Sequence, residues 1–301
     1  MIYPPYLSKG STVGIVCPSG YLPVERVQKS VEILEQWGFL VKMGKTVGYK
    51  YHYFSGTDEE RLADLQAMLD DPSIHAILCG RGGYGLSRII DCINFSLFVQ
   101  TPKWIIGFSD ITVLHTHIYN QYKISTIHAA MAGAFADYGL KNASIQSLQN
   151  ILLGNKMSYT INTHTSNRLG TAVGPLIGGN LSLLVHVIGT PSDMDYKDCI
   201  LFIEDVGEYM YNIDRMLVQL KRNKKFNAIK GLIVGGFTDM KDTITPFGST
   251  IYELIKMVVN EFDFPICFDF PVSHGEHNIA LKYGTLCHLE IVNNSVLLKE
   301  L

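Results

Sequence analysis

The chain has 301 residues, enough for two domains at about 150 residues each, and 47% are hydrophobic against 18% charged, a balance that excludes a disordered chain. Lys and Arg number 25 and Asp and Glu 28, so the net charge of −3 has the wrong sign for a nucleic-acid binder. No run of roughly 18 apolar residues exists; the most hydrophobic stretch, residues 174–190, is broken by glycines, Asn180, Ser182 and His186, so no membrane span is expected. Residues 12–17 (TVGIVC) read as a buried strand closed by Pro18, Ser19 and Gly20, after which Val24, Val27, Val31 and Leu34 recur at helical spacing until Gly38. Thr57 and Glu60 form a capping box that opens an amphipathic stretch to Leu69. Strands are expected at 74–79 and 103–106 and a helix over 111–122, and this alternation implies a parallel sheet covered by helices.

The polar tract 154–168 (GNKMSYTINTHTSNR) interrupts the pattern and marks a boundary: an N-terminal domain over 1–155, a linker over 156–170 and a C-terminal domain over 171–301. Beyond it, strands are expected at 199–203, 232–234 and 265–268, helices at 180–188, 213–221 and 250–259, and a closing hairpin over 285–298 that turns at Asn293 and Asn294. The N-terminus has prolines where a signal peptide needs an apolar core, so a cytoplasmic protein is expected. Six scattered cysteines without a CxxC spacing read as buried free thiols rather than disulfides or zinc ligands.

Three segments carry candidate chemistry. Residues 80–85 (GRGGYG) match G-x-G-x-x-G after a strand and before a helical pattern, but no strand ending in an acid follows at the distance ribose recognition requires. Three readings stay open: a nucleotide fingerprint, a turn without function, or successive backbone N–H groups facing an oxyanion. Residues 107–112 (GFSDIT) place Ser109 at a strand-to-helix turn like a nucleophile elbow, although Ile111 stands where the elbow's last glycine belongs, and Ser109 or Asp110 also suits a helix N-cap. A serine nucleophile needs a base with an orienting group. Among ten histidines, His115 and His117 fall in a helical pattern, His128 follows a short strand and His186 lies on an apolar helix, whereas His274 lies in the turn SHGEHN after a strand; Glu204 comes directly after the apolar run CILFI.

Together these segments resemble the LD-carboxypeptidase family of serine peptidases, which includes murein tetrapeptide LD-carboxypeptidases and microcin C self-immunity peptidases. The matching pieces run in order along nearly the whole chain: VGIVCPSG, CGRGGYG, IIGFSDIT, GPLIGGNLSLL, LFIEDVGE with YNIDRML, and FPVSHGEHN. The resemblance implies Ser109 as nucleophile, His274 as general base and Glu204 as its orienting partner. It also implies a flavodoxin-like N-terminal domain, a smaller α/β C-terminal domain, an active site in the cleft between them, and a homodimer. Backbone N–H groups of Asp110 and Gly83 are the oxyanion candidates, and Arg81 is the candidate partner of a substrate carboxylate. Acyl transfer by such a triad requires no metal and no organic cofactor. The chain departs from the family where Ser273 precedes the base, where His277 adds a second imidazole and where LKYG (281–284) lacks a proline, which bears on substrate choice.

The expected reaction is removal of the terminal D-alanine from a murein tetrapeptide, a small peptide substrate, with no nucleic acid or membrane involved. Two alternatives remain. A peptidase acting on a peptidyl-nucleotide antibiotic would want an aromatic side chain for the base, and the only tryptophans, Trp37 and Trp104, sit in structural patterns. A Rossmann-like nucleotide-binding protein, or a catalytically silent ligand-binding module, would rest on GRGGYG.

Overall fold

The computed structural model describes residues 1–301 and divides into two units: residues 1–155 with 279–282, and residues 156–278 with 283–301. In the first unit β1 (Thr12–Val16), β2 (Leu40–Met43), β3 (Ile74–Cys79), β4 (Trp104–Gly107) and β5 (Ile127–His128) run parallel in the order β2-β1-β3-β4-β5. That is the flavodoxin-like order, and its direction reverses between β1 and β3, where open sheets hold ligands beyond the carboxyl ends of the strands. Helices Glu25–Gln36, Asp58–Asp70, Thr112–Tyr122 and Ala143–Leu152 follow β1, β2, β4 and β5, and the short helix Ser96–Gln100 lies between β3 and β4. All four residues of β4 are buried, as are all but His75 in β3, the near-continuous apolar run expected of a sheet covered on both faces. The helix Asp58–Asp70 carries the capping box of Thr57 and Glu60.

The second unit holds β6 (Ser158–Asn162), β7 (Gly170–Asn180), β8 (Ile200–Val206), β9 (Gly231–Thr238), β10 (Ile266–Cys267), β12 (Leu286–Ile291) and β13 (Ser295–Glu300), while β11 (Leu281–Lys282) returns to pair antiparallel with β5 in the first sheet. Its sheet is mixed: β10-β9-β8-β7 is parallel and β7-β12-β13-β6 antiparallel. The span 156–170, expected as a linker, instead carries β6, whose residues alternate exposed and half-buried and pair with β13. Polarity misled there, because an edge strand over a core needs apolar character on only one face. The glycine-broken stretch after Leu169 is the central strand β7, its glycines tolerated because neighbouring backbone crowds against them. All six cysteines are free and five are buried; Cys92 is the exposed exception. No helix is long and apolar enough to cross a membrane.

Candidate active site

Ser109 lies one residue beyond β4, after Phe108, and adopts φ +61°, a left-handed conformation that a non-glycine residue holds only under constraint. Ser109–Ile111 form a 3₁₀ turn that runs into helix Thr112–Tyr122, so the serine sits at a sharp strand-to-helix corner, the elbow geometry expected without its final glycine. The Asp110 side chain is no simple helix cap. It is buried, and its Oδ2 accepts hydrogen bonds from Ser19 Oγ at 2.6 Å and Leu86 N at 2.9 Å, tying the corner to the loops after β1 and β3.

The GRGGYG turn lies against this corner. A Cβ on Gly82 would stand 2.9 Å from Ser109 Cβ and 3.1 Å from its Oγ, so only glycine fits there. Gly83, at φ +97°, presents its corresponding face to the Tyr53 hydroxyl, and its own amide follows directly on the Gly82 Cα that abuts the serine. None of the five backbone N–H groups from Arg81 to Gly85 is spent on an acceptor in the chain. Beyond them come two short 3₁₀ turns, Leu86–Arg88 and Ile90–Cys92, in place of the helix anticipated there, so the helix N-terminus that would hold a pyrophosphate is missing.

Arg61, fully buried, braces the same loops from below: its Nη1 donates to Pro18 O at 2.6 Å and Gly85 O at 3.0 Å, its Nη2 pairs with Asp58, and its guanidinium lies 4.8 Å from the Phe54 ring centre. Replacing it with alanine leaves two carbonyls and a cavity unsatisfied, so Arg61→Ala is expected to cost about 3 kcal/mol, measured as a lower urea midpoint at unchanged slope. A variant as stable as the wild type would show that the brace is dispensable. Arg81 is exposed; its Nη1 donates to Tyr21 O at 2.8 Å and it forms no ion pair.

In the second unit Glu204 is completely buried on β8, and its Oε2 stands 2.6 Å from His274 Nδ1. The β8–β9 register shifts between Ile203 and Asp205, an irregularity of the kind that re-aims side chains and lets both consecutive acids turn inward. They are used differently. Asp205 accepts from Asn180 Nδ2, Ser182 N, Ser182 Oγ and Val206 N, a local role that caps the turn into helix Leu181–His186. Burial, with the neighbouring Glu204 charge, pushes the Asp205 carboxyl up to about 6 against the pull of those hydrogen bonds. For His274, burial favours the neutral ring, but the charge and hydrogen bond of Glu204 outweigh it and hold the imidazole above its ordinary value.

The His274 loop approaches β9 at Gly235 and Gly236, where added Cβ atoms would meet Val272 O at 2.2 Å and Ser273 Cβ at 2.5 Å. This glycine pair inside an apolar strand was the overlooked sequence signal, since a strand glycine often marks a close backbone approach. Ser273 accepts from Gly275 N at 3.0 Å and donates to His277 O at 2.8 Å, so the residue that departs from the family pattern holds the loop's shape. His277 is exposed. His115 is buried with Nε2 2.8 Å from Gly107 O, and burial pushes it down to about 4, which keeps it neutral and structural.

A family model described as the LD-carboxypeptidase N-terminal domain matches residues 13–129, and its C-terminal counterpart matches 173–289. Among curated proteins, the chain is 35% identical over 286 residues to a probable murein peptide carboxypeptidase of Bacillus subtilis (strain 168), covering 93% of this chain and 89% of that one. It is 26% identical to the microcin C7 self-immunity protein MccF of Escherichia coli, covering 98% and 94%. Among solved structures, muramoyltetrapeptide carboxypeptidase from Oxalobacter formigenes shares the fold at a TM-score of 0.88 and 24% identity, covering 96% and 98%.

Proposed function

Since the chain belongs to the LD-carboxypeptidase family and is a serine-type carboxypeptidase, we propose that it hydrolyses the L,D amide bond holding the terminal D-alanine of murein tetrapeptides. Ser109 is the nucleophile, His274 the base and Glu204 the group that orients it. The observation that carries this reading is the 2.6 Å contact of Glu204 Oε2 with His274 Nδ1: a proton held on Nδ1 makes Nε2 the basic nitrogen. His274 takes the Ser109 proton as Oγ attacks the amide carbonyl, and the imidazolium returns it to the leaving amine as the C–N bond breaks. Water then attacks the acyl-enzyme by the reverse proton path, giving a tripeptide and D-alanine. The developing oxyanion is met by the Asp110 and Gly83 amides, and the Arg81 guanidinium, with no carboxylate of its own, pairs with the substrate's terminal carboxylate.

Incubation with murein tetrapeptide and tripeptide followed by mass spectrometry is expected to show loss of one alanine from the tetrapeptide only. No loss from either would refute the proposal. The same reading carries a homodimeric, cytoplasmic enzyme, checked by sedimentation and cell fractionation. Cleavage of a peptidyl-nucleotide has one observation in its favour: Tyr84 within the glycine turn and Tyr53 against its Gly83, both about half exposed, offer aromatic faces to a base. A peptidyl-nucleotide cleaved while the tetrapeptide stays intact would select it.

Because the Glu204 carboxylate keeps the His274 imidazole above its ordinary value, kcat/KM should fall on acidification with a midpoint above 6.5. Glu204→Gln removes the charge that favours the imidazolium and leaves the burial that disfavours it, so the surviving limb should move to lower pH, with kcat reduced about 10⁴-fold. Asp205→Asn causing the larger loss would transfer the orienting role to that carboxylate.

A further inference from the structure

The first unit contains a cavity of about 430 Å³ lined by Leu22, Pro23, Phe108, Met131, Ala134 and Arg81, with the Arg26–Asp137 ion pair at its border. Two of its lining residues adjoin the candidate machinery in sequence: Phe108 directly precedes Ser109, and Arg81, the candidate carboxylate partner, directly precedes the Gly82 that touches the serine. The cavity is therefore walled in part by the residues next in sequence to the nucleophile and to the glycine that touches it, and Arg81 is in its lining. A leaving D-alanine would place its carboxylate at Arg81 and a single methyl group in a space several times that size, walled by aliphatic, thioether and aromatic groups.

We propose that this cavity is the subsite for the side chain of the released residue, and that the enzyme also removes terminal D-amino acids with larger apolar side chains, such as D-leucine and D-methionine. The proposal rests on the murein reading for the peptide that precedes the scissile bond. Bond making and breaking are those of the D-alanine reaction: the amide C–N bond is cleaved, water supplies the hydroxyl of the new carboxyl group, and the amine leaves protonated. Each added methylene buried among Leu22, Phe108 and Met131 gains transfer free energy that solvent would not return.

The test compares kcat/KM on matched tetrapeptides ending in D-Ala, D-Leu or D-Met, for the wild type and for Ala134→Phe, whose ring would fill the cavity. The expected result is D-Leu and D-Met values within about tenfold of D-Ala or above it, and an Ala134→Phe variant whose D-Leu to D-Ala ratio drops at least about tenfold. Wild-type D-Leu and D-Met values more than about tenfold below D-Ala, or a ratio unchanged by Ala134→Phe, would overturn the subsite. A second readout is independent of murein peptides: N-acetyl-D-leucine should slow fluorophosphonate labelling of Ser109 in the wild type and not in Ala134→Phe. If no tetrapeptide is cleaved but that protection is seen, the murein reading fails and the subsite stands; equal labelling with and without N-acetyl-D-leucine overturns the subsite.

Discussion

Ser109→Ala should lower kcat about 10⁶-fold while leaving the fold and substrate affinity close to those of the wild type. The hydroxyl sits at a corner whose position is set by other groups: the Asp110 carboxylate bound to Ser19 and Leu86, and Arg61 bound to Pro18 and Gly85. Removing one oxygen leaves that bracing in place but deletes the atom to which the proposed mechanism gives the acyl bond, and losses of roughly this size follow when a serine hydrolase loses its nucleophile. Alanine even relieves nothing in the backbone, since its Cβ meets the same left-handed φ of +61°. Single-turnover kinetics with tetrapeptide, beside a thermal melt, provide the check. Turnover within tenfold of the wild type would remove Ser109 from the chemistry.

His274→Ala should cost about as much, roughly 10⁶-fold in kcat, because in the proposed mechanism nucleophile and base act as one unit and the loss of either disables both. His277→Ala should retain most of the activity and keep the acidic limb of kcat/KM above pH 6.5, since that limb belongs to the ring held by Glu204. The contrast between the two imidazoles is physical: His274 is largely buried against a carboxylate, whereas His277 is exposed and engages Ser273 only through its backbone carbonyl. The opposite ranking of the two variants in a pH–rate comparison would move the base three residues along the loop.

Much of this protein is legible along the chain because its signals are local. The alternation of β-branched runs with helical spacing specifies a parallel, helix-covered sheet, the Thr57 and Glu60 capping box sits where its spacing puts it, and the ordered motifs around Ser109, Glu204 and His274 identify the family. Other features depend on contacts between segments far apart in sequence. A polar tract became the edge strand β6 because β13 supplied its partner, and Leu281 and Lys282 crossed back to pair with β5. The first leaves only the alternation of Met157, Tyr159 and Ile161 within a polar tract, and the second, two residues long, leaves no period at all. Glu204 and Asp205 are neighbours of similar chemistry, and only the β8–β9 register shift, together with the donors Asn180 and Ser182 around Asp205, gives one of them to His274 and the other to a turn. Likewise the choice of Gly82 as the glycine against Ser109 follows from the packing of two loops. Sequence records which groups are present, but which hydrogen bond a buried carboxylate makes depends on the three-dimensional competition among the donors that reach it.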